Sequence, residues 1–307
     1  MQPLVYAPFS DTLDVPNVVV DGAANRSTVL TLSHWPGTNC PAELRADLST
    51  EMAFRYLDEG GARHGSATVV TNAHFDEDGV VGVFALTDPE RALAQRELLI
   101  DVARAGDFQC FHDRLAARMA MVIDAIGSRH DTASAYRTVL PMLPDLAASI
   151  DDHRALWAEE DEWLEETERD LASGRIAIEE VPQLDLAIVT ARTEREPHVM
   201  ALHNRTDAFR VALIRGQQFG LTYRYESWVL YRSRPVLPRV DLQGLAERLT
   251  DLEPGAVEWQ ADAVDDLTPQ LRPVGGASEL DAARFVDELT AWLAAASTTW
   301  SPYASLP

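Results

Sequence analysis

The sequence contains no lysine, so all 26 of its basic residues are arginine. Without lysine the chain cannot build a Walker-type phosphate-binding loop, a Schiff base with a carbonyl substrate or an attachment point for pyridoxal phosphate. The 49 acidic residues give a formal net charge of -23, which argues against binding to duplex nucleic acid by phosphate neutralisation. A local arginine pocket for one or two phosphate groups stays open, because the guanidinium suits that geometry.

Cysteine is also scarce, since Cys40 and Cys110 are the only two in the chain. That number is too small for a disulfide scaffold or a cysteine-based metal site. No apolar run approaches the roughly 20 residues of a membrane span, and residues 1–4 do not resemble the start of a signal peptide. We therefore expect a cytoplasmic protein that does not bind membranes. The length of 307 residues allows two domains, and a hydrophobic fraction of 46% is typical of globular proteins.

Predicted strands and helices alternate through the first half of the chain. β-Branched runs at residues 15–21, 28–33 and 67–71 indicate buried strands. Helical spacing occurs at residues 41–57, from residue 80, and at residues 88–105 and 111–126. This order predicts an α/β fold with a mostly parallel sheet and flanking helices.

The second half of the chain has a different pattern. Residues 141–170 are mainly helical, and their second half is densely acidic, which we interpret as a solvated helix face, with a metal-binding role as the alternative. Short strands are predicted at residues 187–190, 211–214, 222–225 and 228–231, and helices at 242–249 and 281–294. We therefore predict two domains, 1–175 and 186–307, with the boundary in the segment 171–186. The first would be a metal-binding catalytic α/β domain, and the second a smaller α+β domain.

The residues that follow the third predicted strand carry the strongest functional signal. His74, Asp76 and Asp78 occupy alternate positions before Gly79, which opens a helical segment. Open α/β sheets bind ligands at the carboxyl ends of their strands. One imidazole with carboxylate oxygens suits Mn²⁺, Mg²⁺ or Zn²⁺. The pattern predicts a metal-dependent hydrolase site; the alternative is an acidic loop in which an aspartate caps the following helix.

This spacing, His-x-Asp-x-Asp-Gly at residues 74–79, resembles the first motif of the DHH phosphoesterase superfamily. The strand that ends at Asp21 resembles the second motif. Residues 33–35, Ser-His-Trp, resemble the third motif, in which Asp-His-His is the usual signature, and Asp107 near a helix end resembles the fourth. The first motif here follows the second and third, so the resemblance implies a circular permutation. The whole sequence is also similar to an uncharacterised actinobacterial family of unknown function.

The resemblance implies two Mn²⁺ or Mg²⁺ ions per chain. It assigns one ion to Asp21, His74 and Asp76, and the other to Asp21, His34, Asp78 and Asp107. It also implies catalytic roles for His34 and Asp78, since a pair of divalent ions can activate water for attack on a phosphoester. Independently of the resemblance, so many unpaired carboxylates in one pocket would repel one another without cations.

The C-terminal half resembles the substrate-binding domain that accompanies these enzymes. Arg232, Ser233 and Arg234 match its Arg-Ser segment, and Gly275 and Gly276 match a glycine-rich loop whose histidine this chain lacks. Either arginine, and Arg224 as a further candidate, could bind phosphate bidentately; the alternative for each is a solvated surface residue.

The expected substrate is a small phosphorylated molecule, a cyclic dinucleotide or a short single-stranded oligonucleotide, and a homodimer is one further association to consider. Two alternatives stay open. One is a non-catalytic metal- and nucleotide-binding protein that keeps the fold. The other is a hydrolase in which activated water attacks a carbonyl or a phosphoanhydride.

Overall fold

The computed structural model describes residues 2–60, 65–295 and 299–305. The chain forms two compact units, of which the first comprises residues up to Glu162 together with Tyr231–Ser233. The boundary lies within a long helix, before the segment 171–186 in which the sequence indicates a linker. The acidic first part of this helix is attached to the first unit, because Asp161 pairs with two arginines, Arg114 and Arg118. The functions assigned to the two domains stay predictions.

The first unit contains a parallel four-stranded sheet. Its strands are β1 (Val5–Tyr6), β2 (Asn17–Val20), β3 (Thr28–Leu32) and β4 (Val69–Thr71), in the order β1-β4-β2-β3. The consecutive valines 18–20 of β2 have no exposed surface, as expected for a central parallel strand covered on both faces. The sequence pattern located β2, β3 and β4 and missed β1, which is too short to show periodicity.

The α-helices described between residues 49 and 173 follow β3 or β4 in the chain. They are α1 (Ser49–Asp58), α2 (Glu77–Thr87), α3 (Pro89–Ala94), α4 (Arg96–Asp107), α5 (Arg114–Gly127), α6 (Thr132–Val139), α7 (Leu143–Leu146) and α8 (Arg154–Ser173). The prediction of one helix over 41–57 is wrong in its first half, where turns precede α1 and Leu44 is buried without helical structure. The predicted helix 88–105 is two helices, because the chain leaves α3 at Gln95 before α4 begins. Among the described residues, no helix is long and apolar enough to span a membrane.

The second unit is built on a mixed six-stranded sheet. Its strands are β5 (Ile176–Val181), β6 (Leu186–Ala191), β7 (Arg210–Arg215), β8 (Gln218–Tyr223), β10 (Glu258–Ala261) and β11 (Gln270–Val274), in the order β10-β11-β8-β7-β6-β5. Within this sheet β6 and β7 are parallel, and the other neighbouring pairs are antiparallel. A second, two-stranded sheet joins β9 (Arg239–Val240) and β12 (Thr299–Trp300).

The helices described after β6 are α9 (Val199–His203), α10 (Gln243–Leu252) and α11 (Ala282–Ala294). Leu249 of α10 and Phe285 of α11 are fully buried in a core that includes strand residues such as Leu221. The predicted strand at 228–231 is wrong, because residues 228–230 form a turn in which the Trp228 amide donates to the carbonyl of Tyr225. The protein is therefore an α/β protein in which the first sheet is parallel and the second is mixed.

Candidate metal centre

Three strands of the parallel sheet end at the candidate site. Asp21 directly follows β2, His34 lies two residues after β3, and His74 lies three residues after β4. Asp107 is the last residue of α4. Because the carboxyl ends of parallel strands meet at one edge of a sheet, Asp21 and His74 touch although 53 positions separate them in the chain.

Asp21, His74 and Asp76 form the first group, which we call the three-residue group. The Nε2 atom of His74 lies 2.7 Å from Asp76 Oδ2 and 3.0 Å from Asp21 Oδ2. The side chains of His74 and Asp76 are each about one third exposed, whereas that of Asp21 is buried. The other oxygen of Asp76 accepts the Gly79 amide at 2.8 Å and caps α2. Asp76 therefore both caps a helix and faces the cluster, as the two sequence interpretations separately proposed.

Asp21, His34, Asp78 and Asp107 form the second group, which we call the four-residue group. The Nε2 atom of His34 lies 3.3 Å from Asp21 Oδ1, 3.4 Å from Asp107 Oδ2 and 4.0 Å from Asp78 Oδ2. The side chain of His34 has no exposed surface. In each group, one candidate ligand atom from every member lies within 4.8 Å of the others. Asp21 belongs to both groups and turns a different oxygen toward the histidine of each.

The amino end of α1 holds the buried carboxylates in place. The amides of Ser49 and Thr50 each donate to a different oxygen of Asp78 at 2.7 Å. The Ser49 hydroxyl donates to Asp21 Oδ1 at 2.8 Å. Unsatisfied amides and the positive end of the helix dipole favour negative charge at such a terminus. Neither residue was predicted to belong to the site; a Ser-Thr pair before an apolar helical run is the signal of a helix start that could have located them.

Three carboxyl groups of the cluster, those of Asp76, Asp78 and Asp107, have raised pKa values. Burial, reinforced by the charges of Asp78 and Asp76, raises the pKa of Asp107 well above its usual range. Burial and the charge of Asp21 raise the pKa of Asp78 to about 7, although His34 opposes this. The neighbouring Glu77 is buried beside Asp76, and its pKa is raised to about 8.

The pKa values of the two histidines, His34 and His74, are raised by their contacts with aspartates. Burial alone would lower the pKa of His34, but the hydrogen bond and charge of Asp21 raise it to about 9. Burial also opposes the protonated form of His74, yet its hydrogen bonds to Asp21 and Asp76 raise its pKa to about 11. For Asp21, burial favours the neutral form, and the hydrogen bonds from both histidines outweigh it and lower the pKa.

This donor set fits divalent cations. Four aspartates and two imidazoles supply the hard oxygen and nitrogen ligands that Mn²⁺ and Mg²⁺ accept. The buried Oδ2 atom of Asp107 accepts no hydrogen bond from any residue that the structure describes. A bound cation would satisfy that oxygen and offset the repulsion between the carboxylates.

The residues predicted to bind substrate are divided between the two units. Arg232 and Ser233 belong to the first unit, where both backbone amides and the Ser233 hydroxyl donate to the carboxylate of Asp47. Arg234 belongs to the second unit and donates to Asp185 and to the carbonyl of Asp207. The hydroxyl of Ser233 is thus engaged by a protein carboxylate, and the guanidinium of Arg234 by protein oxygens.

The remaining candidates also lie in the second unit. Gly275 and Gly276 form a loop after β11; the backbone of Gly275 has φ +86°, which favours glycine. Gly276 lines a cavity of about 420 Å³. Arg224 is buried and bonds to Glu226 and to the carbonyl of Thr206, so it is not a solvated surface residue.

The fold and the site together define an α/β protein with two histidine–aspartate groups at the carboxyl ends of the strands of its parallel sheet. The two groups have Asp21 in common. The model of a family described as "Family of unknown function (DUF6687)" matches residues 2–304, and the chain belongs to this family. No curated protein and no solved structure gives a significant match to the chain.

Proposed function

We propose that this protein is a Mn²⁺- or Mg²⁺-dependent phosphoesterase of the DHH type. Its substrate would be a small phosphorylated molecule, a cyclic dinucleotide or a short single-stranded oligonucleotide. The observation that carries the proposal is the pair of ligand groups that share Asp21 at the carboxyl ends of adjacent parallel strands. Shared carboxylates of this kind are suited to two neighbouring metal ions.

The order of the strands supports the resemblance to the DHH superfamily. The segments that resemble the first, second and third motifs follow β4, β2 and β3, which are consecutive neighbours in the sheet order β1-β4-β2-β3. These three motifs are therefore in sequential order in space, although the first follows the other two in the chain. Parallel strands hold their places through hydrogen bonds to their neighbours, so a permuted chain can keep the same arrangement.

The exposure of the side chains defines which residues would meet substrate. His74 and Asp76 form the open side of the cluster, since each is about one third exposed. His34 and Asp78 have no exposed surface, so we assign them to holding the metal and not to proton transfer with substrate. When bound, divalent cations would lower the pKa of water and stabilise negative charge on the phosphate oxygens.

Elemental analysis tests the metal centre. Protein purified without chelator and then loaded with Mn²⁺ is expected to hold close to two ions per chain, a number that follows from the two ligand groups. Asp76→Asn should lose the ion of the three-residue group. The matched control is Asp262→Asn, which alters an aspartate paired with Arg272 in the second unit and should keep both ions. Wild-type protein without metal after loading would contradict the proposal.

A panel of substrates tests the reaction. We expect Mn²⁺-dependent hydrolysis of bis(p-nitrophenyl) phosphate, of a cyclic dinucleotide or of a short single-stranded oligonucleotide, and none of duplex DNA. Asp76→Asn should reduce the rate by about 100-fold or more, because it removes a ligand on the open side. The panel also includes an amide, a carboxylic ester and a polyphosphate. Hydrolysis of one of these instead would indicate a hydrolase that acts on a different bond.

A specific feature favours a second candidate, a non-catalytic metal- and nucleotide-binding protein. Ser33 and Trp35 occupy the positions of the aspartate and the second histidine in the DHH signature. The Ser33 hydroxyl accepts the amides of Gly22 and Trp35, at 3.1 and 3.3 Å, and the Trp35 ring stacks on His74 with centroids 5.1 Å apart. Metal-dependent binding of a phosphorylated ligand without any turnover would establish this candidate.

A further inference from the structure

Asp47 connects the candidate metal centre to a distant segment of the chain. Its carbonyl oxygen lies 2.5 Å from Nδ1 of His34. Its carboxylate accepts hydrogen bonds from the amides of Arg232 and Ser233 and from the Ser233 hydroxyl, 185 positions and more along the chain. The side chain is buried, so these bonds are made away from solvent.

The same segment reaches His34 along a second path. Tyr231 packs edge-to-face on Phe108, with ring centroids 5.6 Å apart. Phe108 in turn stacks against His34 with centroids 6.2 Å apart. Tyr231–Ser233 therefore contacts neighbours of the His34 ring on two sides, and all of these residues belong to the first unit.

The contact with Asp47 determines which nitrogen of His34 faces the four-residue group. A carbonyl oxygen at Nδ1 requires a proton on that atom, which leaves Nε2 to bind a cation. Asp47 also donates its own amide to Glu51 at 3.2 Å, so its backbone is held from several directions. His74 of the three-residue group differs, because its Nδ1 atom makes no hydrogen bond to any residue that the structure describes.

We propose that Asp47 is a positioning residue for His34 and that the Tyr231–Ser233 segment holds it in place. The hydroxyl of Ser233 anchors the Asp47 carboxylate, and the Asp47 carbonyl then fixes the ring of His34 with Nε2 toward Asp21, Asp78 and Asp107. This inference rests on the proposed function, because its effect is on the binding of a divalent cation. It requires that loss of the Ser233 hydroxyl weakens cation binding by the four-residue group and leaves cation binding by the three-residue group unchanged.

The experiment measures Mn²⁺ affinity by calorimetric titration in two parent variants. Asp76→Asn removes a ligand of the three-residue group, and Asp107→Asn removes a ligand of the four-residue group. Ser233→Ala is expected to raise the Mn²⁺ dissociation constant about tenfold in the Asp76→Asn parent, the usual size of an outer-shell effect, and to leave it unchanged in the Asp107→Asn parent. Ser233→Thr, which keeps a hydroxyl, should restore the parent affinity.

Ser10→Ala is the matched control, because this exposed serine also donates its hydroxyl to an aspartate in the same unit, away from the cluster. It should change neither dissociation constant. Equal losses of affinity in both parents would show a general structural effect and overturn the positioning role, as would no loss in either. Wild-type protein that binds no Mn²⁺ would instead overturn the proposed function itself.

Discussion

Divalent cations are expected to stabilise the first unit strongly. Mn²⁺ at 100 times its dissociation constant adds about 2.7 kcal/mol for each independent site that exists only in the folded state. The first unit has about 165 residues, a size at which 1 kcal/mol raises the melting temperature by about 2–4 °C. Each occupied group should therefore raise the melting temperature by roughly 5–10 °C, and both groups by about twice as much.

Two substitutions divide this stabilisation between the groups. Asp21→Asn should remove nearly all of it, because Asp21 contributes an oxygen to both groups. Asp76→Asn should remove about half, since only the three-residue group loses a ligand. An asparagine at position 76 still offers an oxygen to the Gly79 amide, so the cap of α2 is retained and the metal-free protein should keep its fold.

Differential scanning calorimetry in chelator and in excess Mn²⁺ measures the shift, with NaCl at matched ionic strength as the salt control. Asp262→Asn serves as the protein control and should keep the whole shift. If Asp21→Asn gained as much from Mn²⁺ as the wild type, the cations would bind elsewhere, and the reasoning from the shared carboxylate would be refuted.

Three further predictions follow from the cluster. Gly79→Ala should lower the free energy of unfolding, measured in urea, by about 1–3 kcal/mol and impair Mn²⁺ binding. The reason is that the Cβ of the new alanine would lie 2.4 Å from Asn72 Nδ2. Unchanged stability would contradict this close packing. In chelator, the stability measured by urea unfolding should fall as the pH rises from 7 through 9 and beyond. The folded-state pKa values of His34 and His74, about 9 and 11, lie above the unfolded value of 6.5, so their contribution is complete below pH 6.5 and is lost as each deprotonates. A rise in stability over this range would show the opposite linkage. Asp107→Asn should lower Mn²⁺ affinity, whereas the free energy of unfolding in chelator at pH 7 should stay within about 1 kcal/mol of the wild type. Burial favours the neutral form of the Asp107 carboxyl, and asparagine is also neutral. A large loss of stability in chelator would argue against a raised pKa of Asp107.

Local pattern was sufficient for the two strands that lead to Asp21 and His74. The β-branched run of β2 and the alternate placement of His74, Asp76 and Asp78 after β4 are visible in the sequence, because burial on both faces and the strand-to-helix transition leave local signals. The same signals were weak for β1, which has two residues. They were misleading at residues 228–231, where an apolar run predicted a strand and residues 228–230 form a turn. Short apolar segments do not reveal their backbone conformation, since tertiary packing decides it.

The resemblance named the six candidate ligands and assigned them to the same two groups that the structure brings together; the tertiary structure decided which oxygen of Asp21 faces each group. That Asp21 turns one oxygen to His34 and the other to His74 depends on the neighbouring positions of β3 and β4 on either side of β2. No local pattern records which strands become neighbours, because strand order is set by the packing of the whole sheet.

The sequence gives no sign of the partner that Arg232 and Ser233 have in the structure. In the sequence these residues match part of a substrate-binding segment, and in the structure their amides and the Ser233 hydroxyl donate to Asp47. The sequence by itself determined the residue types available for chemistry: no lysine, few cysteines, and aspartates and histidines at strand ends. Only the tertiary structure decided which of them meet, because contacts between positions as distant as 47 and 233 depend on the folded path of the chain and not on local periodicity.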